Sequence, residues 1–542
     1  MGDYFMSNIE HTLTDSYEKS VIDSALWAAY GDALGWMTEL APNISNVKYR
    51  TGTDHITKTM PWKRNISGKN GPSIRLPAGT YSDDTQLRLS VSRCIRGDGF
   101  FDIEAFAKIE LPVWQSYALG AGIGSKAAAL NLSKKSTNWF SNFYASSRQP
   151  SHYIHGGGNG AAMRIQPHVW ACNNKRTMLL NVFKDSIVTH GHVHGFCGAL
   201  FHALSLYEVL KNRKVPDISE FYKLFEDIKK VSDIVKEDLQ LSSFWLPVWE
   251  EKSGKKLDEA IDEVLAEMLE DLEKINSLSS LSYSSLLSIL GCDKDKFKGS
   301  GFKTALAATL FSSFALTENI SIEESLIIIV NQIGTDTDTI ATMVGALLGS
   351  ICMYEPSGCL QDREYIVEEA KRLISISRGQ NTLSFNYPDL AKWNPPINQN
   401  SSLEVNNDVI NLIGLGRLSV IGERYDYGNF SWQWFKLPFG QTILAKFKAS
   451  IATENLGLNK LKQNDVSFIE KNISSPDRNL MSLRDFTLDE MTDHIIKSNF
   501  DDELLGRYLN KLIDSSDSLE LAIAFSAIIA KAKIARKKKA RT

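Results

Sequence analysis

The chain has 542 residues, a formal net charge of −4 and 43% apolar residues, so it is long enough for about two to three domains with a sizeable core. That charge gives neither an overall basic footprint for nucleic acid nor a strong acidic field. Six scattered cysteines without a C-x-x-C pair, no basic-then-apolar leader and no stretch of about 18 residues apolar enough to cross a bilayer predict a cytoplasmic protein with reduced thiols and no membrane partner.

After a short polar leader, Ser20–Gly35 reads as a helix in which Gly31 and Gly35 make a close-packing face. Asp32 between them can cap or bond across helices, and Glu39 follows just outside. Residues 48–77 are polar, rich in Gly and Pro, and read as a loop. At Ser82-Asp83-Asp84-Thr85 two adjacent carboxylates flanked by hydroxyls open an apolar helix, where like charges repel unless a cation or partners compensate. Asp336-Thr337-Asp338-Thr339, running into a helix with Ala341, Gly345 and Gly349 on one face, repeats that arrangement. Two such cups can close on each other. Every donor is oxygen, which suits Mg²⁺, Mn²⁺ or Ca²⁺ rather than Zn²⁺, and two pairs of carboxylates can hold two ions about 3.5–4 Å apart.

Between the cups lie Gly120-Ala-Gly122-Ile-Gly124, either a phosphate loop or an ordinary connection, and His155-Gly-Gly-Gly158-Asn159-Gly160-Ala-Ala-Met163-Arg164, a glycine loop before a helix start that favours an anion such as a diphosphate. Arg164 either contacts the anion or caps a helix. His190, His192 and His194 alternate, a spacing that does not make a zinc site on a helix; hydrogen bonding to substrate through His190 or His192 is the better reading. Residues 211–277 are charged and helical, and no convincing sheet precedes residue 400.

Gly31-Asp32-Ala-Leu-Gly35 with Glu39, Ser82-Asp83-Asp84-Thr85, Gly158-Asn159-Gly160-Ala-Ala-Met163-Arg164, Thr189-His190 with Gly198-Ala-Leu, and Asn331 to Gly349 together resemble the ADP-ribosylglycohydrolase family, in particular its dinitrogenase-reductase-activating branch. The resemblance implies a compact all-α domain over residues 15–385, with 211–300 as an extended helical insertion. It also implies a hydrolase that removes ADP-ribose from a modified acceptor, a protein side chain with arginine slightly favoured, by cleaving the glycosidic bond at the terminal ribose. Carried over by position, Ser82, Asp83, Asp84, Asp336, Asp338 and Thr339 would hold two Mg²⁺ ions. Glu39, Asp83 and Asp84 would be catalytic, and Gly120, Gly122, Gly124, Gly158, Asn159, Gly160, Met163, Arg164 and His190 would bind substrate. Thr335 stands where the family usually has glycine, which brings a ligand less close to the backbone. The alternatives are an ADP-ribose-binding protein without turnover, and an immunity protein that blocks an ADP-ribosylating toxin.

Residues 381–400 read as a linker, and 400–542 as a smaller α+β accessory domain with short strands around Trp432, Trp434 and Phe435, which pack as core or form a binding face. Seven of the last twelve residues are Lys or Arg; a solvated terminus is favoured over nucleic-acid binding there.

Overall fold

The computed structural model describes residues 2–68, 71–278, 280–406, 409–449, 488–513, 522–523, 525–530 and 532–533, with side chains from residue 16 onward. They divide into two compact units, Met1–Leu461 and Lys462–Thr542. The first is mainly α, as its motifs predict.

Its centre is a helix pair, Gly2–Gly35 on Thr337–Cys352. Glycine on both sides lets the two backbones touch. Gly31 lies on the Ala341 carbonyl, Gly35 on the Thr337 carbonyl and the Asp338 Cα, and Gly345 on the Trp27 carbonyl. A Cβ at any of them would meet backbone, which cannot swing aside as a side chain can. We therefore expect Gly345→Val to force the pair apart and cost about 1–3 kcal/mol or more, read as a lower melting temperature. The first helix begins at Gly2 rather than Ser20; the leader carries apolar residues at Phe5, Ile9, Leu13 and Tyr17, a four-residue period that continues the helical pattern.

A second layer is formed by Lys175–Thr189, Val193–Asn212 and Gly301–Thr317. Contrary to expectation, Val193–Asn212 is long and apolar enough to cross a bilayer, with a mean hydropathy of 1.2, but 89% of that window is buried inside the protein. Its apolar surface is consumed by core packing. His202 on this helix is buried against Gln166, and burial, with the Arg88 charge adding, lowers its pKa to about 3. A histidine whose folded pKa is depressed contributes stability above its unfolded pKa of about 6.5 and loses it as pH falls towards 3. We expect His202→Gln to flatten the fall in stability between pH 6 and pH 4 by up to about 1.4 kcal/mol per pH unit, measured by urea unfolding at several pH values.

The stretch expected to be loop contains a helix, Ile44–Thr51, and an antiparallel hairpin, β1 (Trp62–Asn65) with β2 (Ser73–Leu76). Trp62, Ile74 and Leu76 turn inward, an alternation too short to stand out among polar residues. The insertion is helical as expected, and Leu257–Asn276 buries Leu257, Ile261, Val264, Met268 and Leu272.

Residues 381–400 are not a free linker. Thr382 bonds the Gly97 carbonyl, the Tyr387 hydroxyl bonds Glu110 at 2.6 Å, and the Trp393 indole donates to the Lys108 carbonyl at 2.7 Å. Strands β3 (Leu403–Asn406), β4 (Val409–Leu412) and β5 (Gly416–Arg417) form one antiparallel sheet. Strands β6 (Ser419–Tyr427), β7 (Phe430–Lys436) and β8 (Thr442–Lys448) form another. Both sheets group with the first unit. Buried Arg93 explains the attachment: it pairs with Glu110 at 2.7 Å and donates to Gln441 Oε1 at 2.7 Å, tying the sheet region to the helical body. Trp432, Trp434 and Phe435 are core. In the second unit, Leu488–Lys497 and Asp502–Ile513 share an apolar cluster with Phe525 and Ile529. The basic stretch 534–542 lies outside the described residues.

Candidate active site

The Thr337–Cys352 helix starts with Asp336 at its N-cap position, yet the Asp336 side chain makes no capping bond. Its Oδ2 accepts instead from Asn159 Nδ2 at 2.9 Å. The turn that delivers it is pinned from outside: Asn331 accepts from the Ile56 N–H and donates to the Ile56 and Ile327 carbonyls, each at 2.8 Å. Gly334, at φ +99, takes the left-handed conformation this turn needs. Thr335 is buried beside it and donates its hydroxyl to the Gln332 carbonyl at 2.8 Å, so the departure from glycine is accommodated within the turn.

The opposing cup opens the Asp83–Cys94 helix, where Ser82 is the N-cap and its Oγ accepts from the Asp84 N–H. Asp32, fully buried on the first helix, accepts from the Ser82 and Thr85 N–H groups at 2.9 Å each. It is a cross-helix cap. The cups meet where the Thr339 hydroxyl donates to Asp84 Oδ1 at 3.4 Å.

Charge is unbalanced here. Burial raises Asp83 well above the usual carboxylate range, with Glu39 and Asp32 adding repulsion. Burial raises Asp84 likewise, joined by Asp32, Asp83 and Asp336, and raises Asp338, joined by Glu39, Asp84 and Asp336. The nearby guanidinium groups are those of Arg88, which donates to Thr85, and Arg64, which pairs with Glu39 at 2.7 Å. Burial also raises Glu39 and Asp336 adds to it, although Arg64 opposes both. Asp84 Oδ2 and the Trp36 indole N–H are buried without a partner, and a Cβ on Gly120 (φ +87) would stand 2.9 Å from Asp83 Oδ1 and 3.0 Å from Trp36 Nε1. Among the described residues no three His, Cys, Asp or Glu side chains already converge on one point. The donor set nevertheless fits a hard cation: all oxygen, with repelled carboxylates and one buried oxygen unpartnered.

The sequence model of the ADP-ribosylglycohydrolases matches residues 13–374, two-thirds of the chain. This protein belongs to the ADP-ribosylglycohydrolase family. A solved structure described as an "ADP-ribosylglycohydrolase-related protein complex" is similar at 20% identity, covering 67% of this chain and 99% of that chain with a TM-score of 0.38. No curated protein matches the sequence.

In this member of the family the glycine loops border the cups unequally. Gly120 touches the site directly, while Gly122 caps the Ile123–Leu132 helix and Gly124 lies on His152 and the Tyr144 hydroxyl. Asn159 reaches Asp336, and a Cβ on Gly160 would meet the His190 ring and Ser125. Met163 is buried. Arg164, open between an anion contact and a helix cap in the sequence, points away from the loop's open side. It is fully buried, donating to Asp185, the Gly160 carbonyl and Thr189 Oγ1, so it braces the loop from behind. Thr189 Oγ1 accepts from Arg164 and lies 2.8 Å from His190 Nδ1, which holds the ring against the loop brace. Burial, reinforced by Arg164 and His152, lowers His190 to about 3, so it faces the Gly158–Gly160 loop as a neutral imidazole. His192 caps its own helix, accepting from the His194 N–H.

Three residues of this site were not singled out from the sequence. Arg64 comes from the hairpin read as loop and stacks over Trp36 and Trp62; Trp36 is adjacent to the Gly31–Gly35 motif; Arg88 lies one turn beyond the Asp pair. The inward alternation of Trp62, Ile74 and Leu76 was the available signal for the first.

Proposed function

We propose that the protein is a Mg²⁺-dependent hydrolase that removes ADP-ribose from a modified acceptor. The observation that carries this reading is the excess of mutually repelling carboxylates around the partnerless Asp84 Oδ2, next to the Gly120 loop. Ser82, Asp83, Asp84, Asp336, Asp338 and Thr339 would hold two Mg²⁺ ions, which when bound supply Lewis acidity and orient the ribose hydroxyls. The chain's own part follows from its geometry. The N–H groups about Gly120 and Gly158–Gly160 offer donors to a diphosphate, and the neutral His190 ring borders the second loop. Water attacks the anomeric carbon through an oxocarbenium-like transition state, the carbon–acceptor bond breaks, and its electron pair leaves with the acceptor. Glu39, held by Arg64, is placed to take the water's proton: the ion pair keeps it ionised, while burial keeps it basic.

The test is release of ADP-ribose from modified arginine, serine and nucleic acid in Mg²⁺ and in EDTA. Release from at least one acceptor that EDTA lowers at least a hundredfold is expected. Binding of ADP-ribose without metal-dependent release from any of them would refute the proposal.

A further inference from the structure

On the Gly120 and Arg64 side, the carboxylate cups adjoin a cleft of about 1320 Å³, larger than the roughly 300–1,000 Å³ typical of a small-molecule pocket. Arg50, Lys63, Arg64, Lys126 and Lys134 line it, and among the described residues it has no acidic lining residue. The whole chain carries more acid than base, so this is a segregated patch. Arg50 and Arg64 are engaged with Glu39, Arg50 through its carbonyl. Lys63 and Lys126 are exposed and, among the described residues, join no ion pair. Tyr49 lies on the same wall with 77% of its surface open.

We propose that this cleft receives a single-stranded nucleic acid and that the acceptor from which ADP-ribose is removed is therefore nucleic acid; the second half rests on the hydrolase reading above. Cations spaced along a groove neutralise successive phosphates, and an exposed aromatic ring gives a base a face to stack on. An acidic peptide would use the cations equally but has no use for an open phenol ring. The basic stretch 534–542 is not needed for this contact.

The experiment is fluorescence anisotropy of a labelled twelve-nucleotide single strand with the full-length protein in Mg²⁺ at several salt concentrations. Lys63→Glu/Lys126→Glu is expected to weaken binding at least tenfold, and Lys63→Ala/Lys126→Ala to lower the log–log salt slope by about 1.4, two phosphate contacts' worth. Tyr49→Ala is expected to weaken binding at least fivefold with the slope unchanged. Thermal melting of each variant establishes that it is folded. Unchanged binding in the double variants, loss of binding on deleting 534–542, or equal competition by an oligoglutamate of matched charge would each overturn the proposal. If no acceptor releases ADP-ribose yet the strand binds as described, the hydrolase reading fails while the assignment of the cleft stands.

Discussion

Replacing Asp84 by Asn is expected to raise the melting temperature of the protein in EDTA while abolishing its response to Mg²⁺. Asp84 is buried among Asp32, Asp83 and Asp336, with one oxygen unpartnered, so its charge costs free energy in the folded chain. The sign is that of a carboxylate held above its unfolded pKa: the folded state keeps the proton longer, so stability is lost as pH rises from about 4 through the raised folded pKa. An amide of the same shape removes that penalty. It also removes a cation ligand. For the native protein, Mg²⁺ at a hundred times its dissociation constant should add about 2.7 kcal/mol of stability, and for Asp84→Asn close to none. Calorimetry with and without Mg²⁺ at pH 7.5 measures both. A melting temperature that falls in EDTA on substitution would mean that Asp84 has structural partners that offset its repulsion, contrary to the geometry.

The second large effect is on turnover. Glu39→Gln should lower the rate of ADP-ribose release by about 10²–10⁴-fold, the range for loss of a positioned general base, while leaving Mg²⁺ stabilisation within about 0.5 kcal/mol of the native value. Arg64→Met should act through the same side chain. Without its ion pair the carboxyl shifts further upward, so the residual activity should recover with rising pH where that of Glu39→Gln does not. A pH–rate profile for the two variants distinguishes a proton acceptor from a residue that merely fills space. If Glu39→Gln retains full activity, Asp83 and Asp84 remain as the carboxylates able to take the proton.

What the sequence discloses and what it withholds divide along a physical line. The cups were legible because each is contiguous: hydroxyls, two carboxylates and the start of an apolar helix within six residues, chemistry that local spacing states outright. The glycine faces were legible for the same reason, since a four-residue period fixes which side of a helix is bare. The ion pair between Arg64 and Glu39 joins residues 25 apart through a hairpin too short and too polar to announce itself. The attachment of the strand region depends on Arg93 meeting Gln441 across 348 residues, and nothing in either neighbourhood foretells it. Arg164 stays ambiguous in the sequence because a guanidinium beside a glycine loop has the same local signature whether it points at a ligand or away from one; the buried Asp185 behind it shows where it is held.

Asp32 and Gly35 stand on one turn of one helix. Asp32 grips the backbone of the 82–85 cup, and the Gly35 carbonyl receives the Thr337 hydroxyl of the other. The two acidic turns are thus registered to a common ruler as well as to each other through Thr339 and Asp84, so a shift of that helix would carry both together. The spacing of the proposed ion ligands is thereby tied to the straightness of one helix, and a kink between Asp32 and Gly35 would change it.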